Sequence, residues 1–141
     1  MKKYAMRVTS AIICLMILFS AVSASARASE RFTWTEVTAF SMGNRVLRFE
    51  FDMIATGKMQ ELGVSKIVVY RQVTSSSATP VKTFTRDNTA GLIAYNEDDK
   101  YGYVEYTGIA GADYFAQIYL YAKNSSGSET LIRTTNLVTA R

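Results

Sequence analysis

The 141-residue sequence contains no histidine and only one cysteine and one proline. Without histidine, Ser-His-Asp and Cys-His nucleophiles, histidine general bases and the usual zinc sites are excluded. The single cysteine, Cys14, lies within an apolar stretch and lacks the context of a lipoprotein signal. The rest of the chain can form no disulfide, so its fold has to be held by its hydrophobic core alone. We predict no cofactor.

Carboxylates are the remaining candidates for catalysis or for metal binding. Two of the 12 acidic residues could in principle act as a glycosidase pair, but a chain this small leaves little room for a deep cleft, so we expect no enzymatic activity. The acidic segment Asn96–Asp99 is the only metal-like cluster, and it lacks the alternating spacing of a calcium loop. We interpret it as a solvated acidic turn and predict no metal site, although the sequence does not decide whether it binds calcium.

The first 28 residues have the three parts of a secretory signal peptide. Positive charges at Lys2, Lys3 and Arg7 precede an apolar run from residue 11 to residue 22, and a small-residue run ends at Ala28. That apolar run is about a dozen residues long, whereas a membrane-spanning helix needs about 20. We therefore predict a signal peptide over residues 1–28, with cleavage after Ala24, Ala26 or Ala28. A secreted, soluble single domain of residues 29–141 would be released, with no membrane anchor.

The basic character of the whole chain belongs to this leader. The net charge of +4 comes from 16 basic and 12 acidic residues, and four of the basic residues lie within residues 1–28. The mature chain therefore carries equal numbers of basic and acidic residues. Because it has no excess of positive charge, we expect it to bind neither nucleic acid nor anionic lipid.

Period-two alternation of apolar and polar residues dominates the mature chain and predicts an all-β fold. It is clearest in residues 45–53 and in residues 114–123, where Phe49, Phe51, Ile118 and Leu120 would face one core. Seven to eight short strands at regular spacing predict an antiparallel β-sandwich.

Several local expectations accompany this fold. They are a helical turn over residues 57–63, a polar loop over residues 74–80, a short strand over residues 92–95, a hairpin joining residues 101–107 to the strand that begins near residue 114, and one last strand over residues 131–140.

The segment from Tyr114 to Ser128 resembles the sixth strand of a fibronectin type III domain. The shared features are a tyrosine, alternating apolar residues, Ala122-Lys-Asn124, and a Gly127-Ser128 turn. The resemblance implies an immunoglobulin-like or fibronectin III-like sandwich. The early tryptophan of that family is missing here, so Phe49 or Phe51 would fill its place.

The mature chain also resembles a set of small exported proteins of Gram-positive bacteria. The similar positions are Ala55, Gly57, Met59 and Gly63, together with the Tyr-Ala-Lys-Asn-Ser-Ser-Gly-Ser segment that starts at Tyr121. These proteins have no assigned function, so the resemblance implies export and a single domain but assigns no functional residue.

A row of aromatic side chains is the most suggestive functional feature. If Ile118 and Leu120 face the core, alternation turns their neighbours outward, and the outward aromatics would be Phe115, Tyr119, Tyr121 and, on a neighbouring strand, Tyr70. Such a row can stack on sugars or anchor a protein, or it can simply stiffen the sheet by cross-strand packing. We predict a non-enzymatic interaction module for an extracellular protein, alternatively a carbohydrate-binding accessory domain, with these four residues as ligand contacts.

Overall fold

The computed structural model describes residues 28–141, so the predicted signal peptide lies outside the described residues apart from Ala28. Within this range every regular element is a β-strand. No helix among these residues is long and apolar enough to cross a membrane. The all-β prediction is confirmed.

Nine strands form two antiparallel sheets. The strands are β1 (Phe32–Gly43), β2 (Val46–Met59), β3 (Glu61–Thr74), β4 (Ser77–Thr85), β5 (Ile93–Ala94), β6 (Glu97–Thr107), β7 (Asp113–Asn124), β8 (Gly127–Thr134) and β9 (Val138–Thr139). The small sheet has the order β1-β2-β6. The large sheet follows the path β4-β3-β7-β8, with β5 paired to β3 and β9 paired to β7.

The hydrophobic core lies between the two sheets, where alternate residues of β2 and β7 meet. Phe49 and Phe51 of β2 and Ile118 and Leu120 of β7 are all buried in one cluster. The residues between them are partly exposed, as strand alternation requires. The predicted register of both strands is confirmed, and the fold is consistent with a β-sandwich.

Three of the local expectations between residues 57 and 99 are wrong. Residues 57–63 form no helical turn, because β2 continues to Met59 and β3 begins at Glu61. The polar residues 74–80 form a tight turn and the start of β4 rather than a loop. Pro80 is tolerated there because β4 is an edge strand and needs hydrogen bonds on one side only. The prediction of an acidic turn at Asn96–Asp99 is also wrong, because Glu97, Asp98 and Asp99 are the first three residues of strand β6.

Gly63 allows β5 to lie close to β3. Its φ angle is +151°, and a β-carbon at this position would lie 1.9 Å from the carbonyl oxygen of Leu92. That carbonyl accepts a hydrogen bond from the amide of Val64 at 2.9 Å. Glycine is therefore needed for β5 to approach β3, which confirms the short strand expected over residues 92–95.

The predicted hairpin between β6 and β7 does not form, because β6 pairs with β2 and β7 pairs with β3. The connection crosses from the small sheet to the large sheet around Tyr114. The hydroxyl of this buried tyrosine accepts a hydrogen bond from the amide of Ile109 at 2.8 Å. A β-carbon on Gly108 would lie 2.7 Å from the Tyr114 ring, so the corner has room only for glycine.

The carboxyl-terminal segment is two strands rather than one, and residues 135–137 between them tie the sheets together. The side-chain amide of Asn136 accepts a hydrogen bond from the amide of Ala39 at 2.8 Å and donates one to its carbonyl at 2.9 Å. The hydroxyl of Thr135 accepts a hydrogen bond from the amide of Ala116 at 3.0 Å. The chain therefore leaves β8, contacts β1 of the small sheet, and returns to β7 as β9.

Candidate binding faces

The four aromatic residues predicted from the sequence lie on the outer surface of the large sheet, which we call the tyrosine face (Tyr70, Phe115, Tyr119 and Tyr121). Tyr70 pairs in register with Phe115. Their rings are stacked, with centroids 5.2 Å apart and planes 12° apart. The Tyr70 hydroxyl donates a hydrogen bond to Gln117 Oε1 at 3.3 Å. Strand pairing therefore brings these residues to one surface.

Cationic side chains cover part of the tyrosine face. The Lys66 ammonium lies 4.1 Å from the centroid of the Tyr119 ring, and the Arg86 guanidinium lies 5.5 Å from that of Tyr121. Such contacts stabilise the rings through their quadrupoles. All four aromatic residues are half-buried. Cross-strand packing is thus part of what these residues do, and their role in ligand binding stays a prediction.

Arg86 also forms an ion pair with Glu61, whose nearest atoms are 2.8 Å apart. The hydrogen bond from Arg86 lowers the pKa of the Glu61 carboxyl below its ordinary value. The same bond raises the pKa of Arg86. The pair holds Arg86 at the end of the tyrosine face, beside Tyr121.

A second aromatic surface lies on the opposite side of the molecule, on the small sheet. We call it the exposed aromatic face. Six large apolar side chains there are between 42% and 51% exposed: Trp34, Phe40, Met42, Ile54, Tyr101 and Tyr103. These side chains are more open to solvent than the aromatic rings of the tyrosine face.

Sequence reasoning missed this face because it placed residues 101–107 beside β7. In the structure Tyr101 lies opposite Asp52, and Tyr103 lies opposite Glu50, both on β2. The sequence of β1 did contain a signal for this face, because alternation places Trp34 and Phe40 on the same outward side of the strand as Glu36 and Thr38. Assigning that set to a face required the strand order of the small sheet, which period-two alternation does not provide.

Charged side chains lie between the aromatic groups of this face. Arg48 donates two hydrogen bonds to Glu105 Oε1, at 2.8 and 3.1 Å, and its guanidinium lies 4.1 Å from the Tyr103 ring centroid. The hydrogen bond to Glu105 raises the pKa of Arg48. Arg48 is therefore neutralised locally and is held flat against the sheet.

A shallow groove of about 230 Å³ lies beside this ion pair. Its lining is mostly acidic and aromatic, and consists of Glu36, Thr38, Phe40, Glu50, Phe51, Asp52 and Tyr101. Partial burial, together with the charge of Glu50, raises the pKa of the Tyr101 hydroxyl. A tyrosine hydroxyl is protonated at neutral pH, so Tyr101 offers a hydrogen-bond donor to the groove.

The acidic residues at the start of β6 also lie close together. Oxygen atoms of Glu97, Asp98 and Asp99 are within 4.8 Å of one another, and all three residues are exposed. They occupy a strand rather than a loop that encloses an ion. We therefore assign no metal to them.

Comparison with known proteins identifies no relative that would indicate a function. No protein-family model matches this sequence, and no curated protein matches it. The arrangement of the two outer faces is therefore the basis for the functional argument.

Proposed function

We propose that this protein is an exported, non-enzymatic interaction module that binds a protein partner through its exposed aromatic face. The observation that carries the proposal is the set of six large apolar side chains that share this one sheet surface. Large apolar side chains exposed on one surface are typical of protein interaction sites, and here charged residues such as Arg48, Glu50 and Asp52 lie between them. Aromatic residues and arginine are also the residue types that dominate binding energy at such sites.

The proposal includes an immunoglobulin-like or fibronectin III-like class for the domain. Two observations support it. The first two strands share a sheet with a later strand, while the third strand pairs with β7 in the other sheet and β7 pairs with β8. In addition, the Tyr114 hydroxyl bonds to the backbone five residues upstream, as in the tyrosine corner of such domains. Domains of this class commonly act as binding units, and the proposed signal peptide would place this one outside the cell.

A carbohydrate-binding accessory domain is the second candidate, and it would use the tyrosine face. The observation that favours it is that Tyr70, Phe115, Tyr119 and Tyr121 share one surface of a regular sheet. Aromatic rings on a flat sheet can stack on sugar rings while tyrosine hydroxyls bond to sugar hydroxyls. We rank it second because these rings are more covered by their neighbours than those of the exposed aromatic face.

The test is capture of partners by immobilised residues 28–141 from cell-wall material and culture supernatant of the producing cell. Two variants separate the candidates: Tyr101→Ser with Tyr103→Ser removes two aromatics of the exposed aromatic face, and Tyr119→Ala with Tyr121→Ala removes two of the tyrosine face. We expect the first pair to abolish capture. Capture of protein that survives the first pair would contradict the proposal, and loss of glycan binding with the second pair would favour the alternative.

The single tryptophan provides a direct readout, because Trp34 lies on the exposed aromatic face. A partner that covers this face removes water from the indole and shifts its emission to shorter wavelength. The control is Ile109→Ser, which removes an exposed apolar side chain from the β6–β7 connection. It should leave both capture and the emission shift unchanged.

A further inference from the structure

The two outer faces of the molecule carry opposite net charge. The outward positions of the small sheet hold five acidic residues against two basic ones, namely Glu36, Glu50, Asp52, Asp99 and Glu105 against Arg48 and Lys58. The tyrosine face holds three basic residues against two acidic ones, namely Lys66, Lys123 and Arg86 against Glu61 and Asp113. Glu36 and Asp52 lie in the groove of the exposed aromatic face. Lys66 lies over the Tyr119 ring of the tyrosine face. Lys123 lies two residues after Tyr121, near the end of strand β7. Charges of opposite sign on two surfaces favour their encounter and fix their orientation.

The two faces also match in shape and in apolar content. Each is the outer surface of an antiparallel sheet, and sheets of the same twist stack face to face at about 10 Å. On the large sheet, Ile132 lies opposite Tyr119 and is 52% exposed, so it extends the apolar surface of the tyrosine face onto β8. The aromatic groups of the exposed aromatic face would therefore meet rings and an isoleucine rather than water.

We infer that the protein associates head to tail, with the exposed aromatic face of one copy docked on the tyrosine face of a second copy. The inference rests on the proposed function, because it names the partner of the same face. The two faces lie on opposite sides of one domain, so each docked copy still has one face available. Such a contact is heterologous and gives an open stack rather than a closed dimer.

The area of the contact is that of a weak complex. Three strands of about ten paired residues cover about 14 by 33 Å. Docking of two such surfaces buries about 900 Å² in total, which is below the 1,200 Å² or so of stable complexes and within the range of weak, transient contacts. The association is therefore reversible and depends on concentration, and its ionic component weakens as salt is added.

Sedimentation velocity on residues 28–141, which contain the whole core cluster, tests the association. Between about 10 µM and 1 mM protein, a span of about 2.7 kcal/mol in binding free energy, the average mass should rise beyond that of a dimer without a plateau. Raising the salt from about 0.05 M to 0.5 M should shift this rise to higher concentration. A protein that stays monomeric throughout, or that stops at a dimer, would overturn the inference.

Mixing two variants tests which faces meet. Tyr101→Ser with Tyr103→Ser disables the exposed aromatic face, and Lys66→Glu with Lys123→Glu disables the tyrosine face. Each variant alone should be monomeric, and an equimolar mixture should form dimers that grow no further. If either variant alone forms dimers, like faces meet, and the head-to-tail contact is wrong. If the mixture stays monomeric, the contact is wrong as well.

Matched controls use side chains outside both faces. Ile109→Ser removes an exposed apolar side chain from a connection, and Arg133→Glu reverses a charge on β8 opposite the inward-facing Ile118. Both controls should associate like the unmodified protein. If the unmodified protein stays monomeric yet captures another protein with a Trp34 emission shift, the inference fails and the proposed function survives.

Discussion

At the scale of single residues, the corner between the sheets depends on one buried hydroxyl. Replacing Tyr114 with Phe leaves the amide of Ile109 without the acceptor that it has at 2.8 Å. Loss of this part-buried hydrogen bond should lower the free energy of unfolding by about 0.5–1.5 kcal/mol in denaturant melts. Tyr101→Phe removes a hydroxyl from an exposed ring and should stay within about 0.5 kcal/mol. Equal losses in the two variants would contradict this role for Tyr114.

The pair of Glu61 and Arg86 predicts a pH dependence. The hydrogen bond from Arg86 holds the pKa of Glu61 below its ordinary value of 4.5, so the folded protein binds a proton there less readily than the unfolded chain. The stabilisation is therefore present above pH 4.5 and is lost as the pH falls through the lowered pKa. Because both groups are partly solvated, Arg86→Gln should cost about 0.5–1 kcal/mol at pH 7.

The measurement for this pair is a series of melts from pH 7 to pH 3. The difference in stability between the unmodified protein and Arg86→Gln should shrink across the acidic end of the series. Arg133→Gln, which removes an exposed arginine from β8, is the control and should show no such trend. A difference that is constant with pH would mean that Glu61 gains nothing from Arg86.

At the scale of elements, side chains along β2 alternate between the core and the outer surface of the small sheet. Phe51 is buried and fills the space beside Gly102, where a β-carbon would lie 2.4 Å from its ring. Phe51→Ala should cost about 3–5 kcal/mol, because it removes apolar contacts and leaves a cavity. Glu50→Ala changes the solvent side of the same strand and should stay within about 0.5 kcal/mol. Denaturant melts that gave the reverse order would require a shift of the strand by one residue.

The elements also show where sequence reasoning succeeds and where it stops. Alternation predicted the buried sets of β2 and β7, because burial of one face requires period two. It did not predict the partner of β6, because the β6–β7 connection has turn residues whether it forms a hairpin or crosses between sheets. That one pairing decides whether Tyr101 and Tyr103 lie near Tyr119 or on the other side of the molecule. The residues of the tyrosine face could be predicted from the local sequence pattern, whereas those of the exposed aromatic face could not.

At the scale of the whole molecule, the equal numbers of basic and acidic residues in residues 29–141 hide a separation of charge between the two sheets. The acidic residues concentrate on the strands of the small sheet, and the basic residues exceed them on the strands of the large sheet. Total charge therefore does not describe the charge of either sheet. Two outer faces that differ in charge and lie on opposite sides of one domain are the condition for the directional association that we propose.

The contact between the two sheets depends in part on Asn136, which lies between β8 and β9. Its side chain forms hydrogen bonds with both the amide and the carbonyl of Ala39 in β1. Asn136→Ala removes both bonds and should cost about 2–3 kcal/mol, at about 1 kcal/mol or more for each bond between partly buried groups. Hydrogen exchange should show faster exchange at the amide of Ala39, while amides of β3 and β7 keep their protection until global unfolding. Leu137→Ala, an exposed neighbour, is the matched control. If the Ala39 amide stayed as protected in Asn136→Ala as in that control, packing alone would hold β1 to the rest of the molecule.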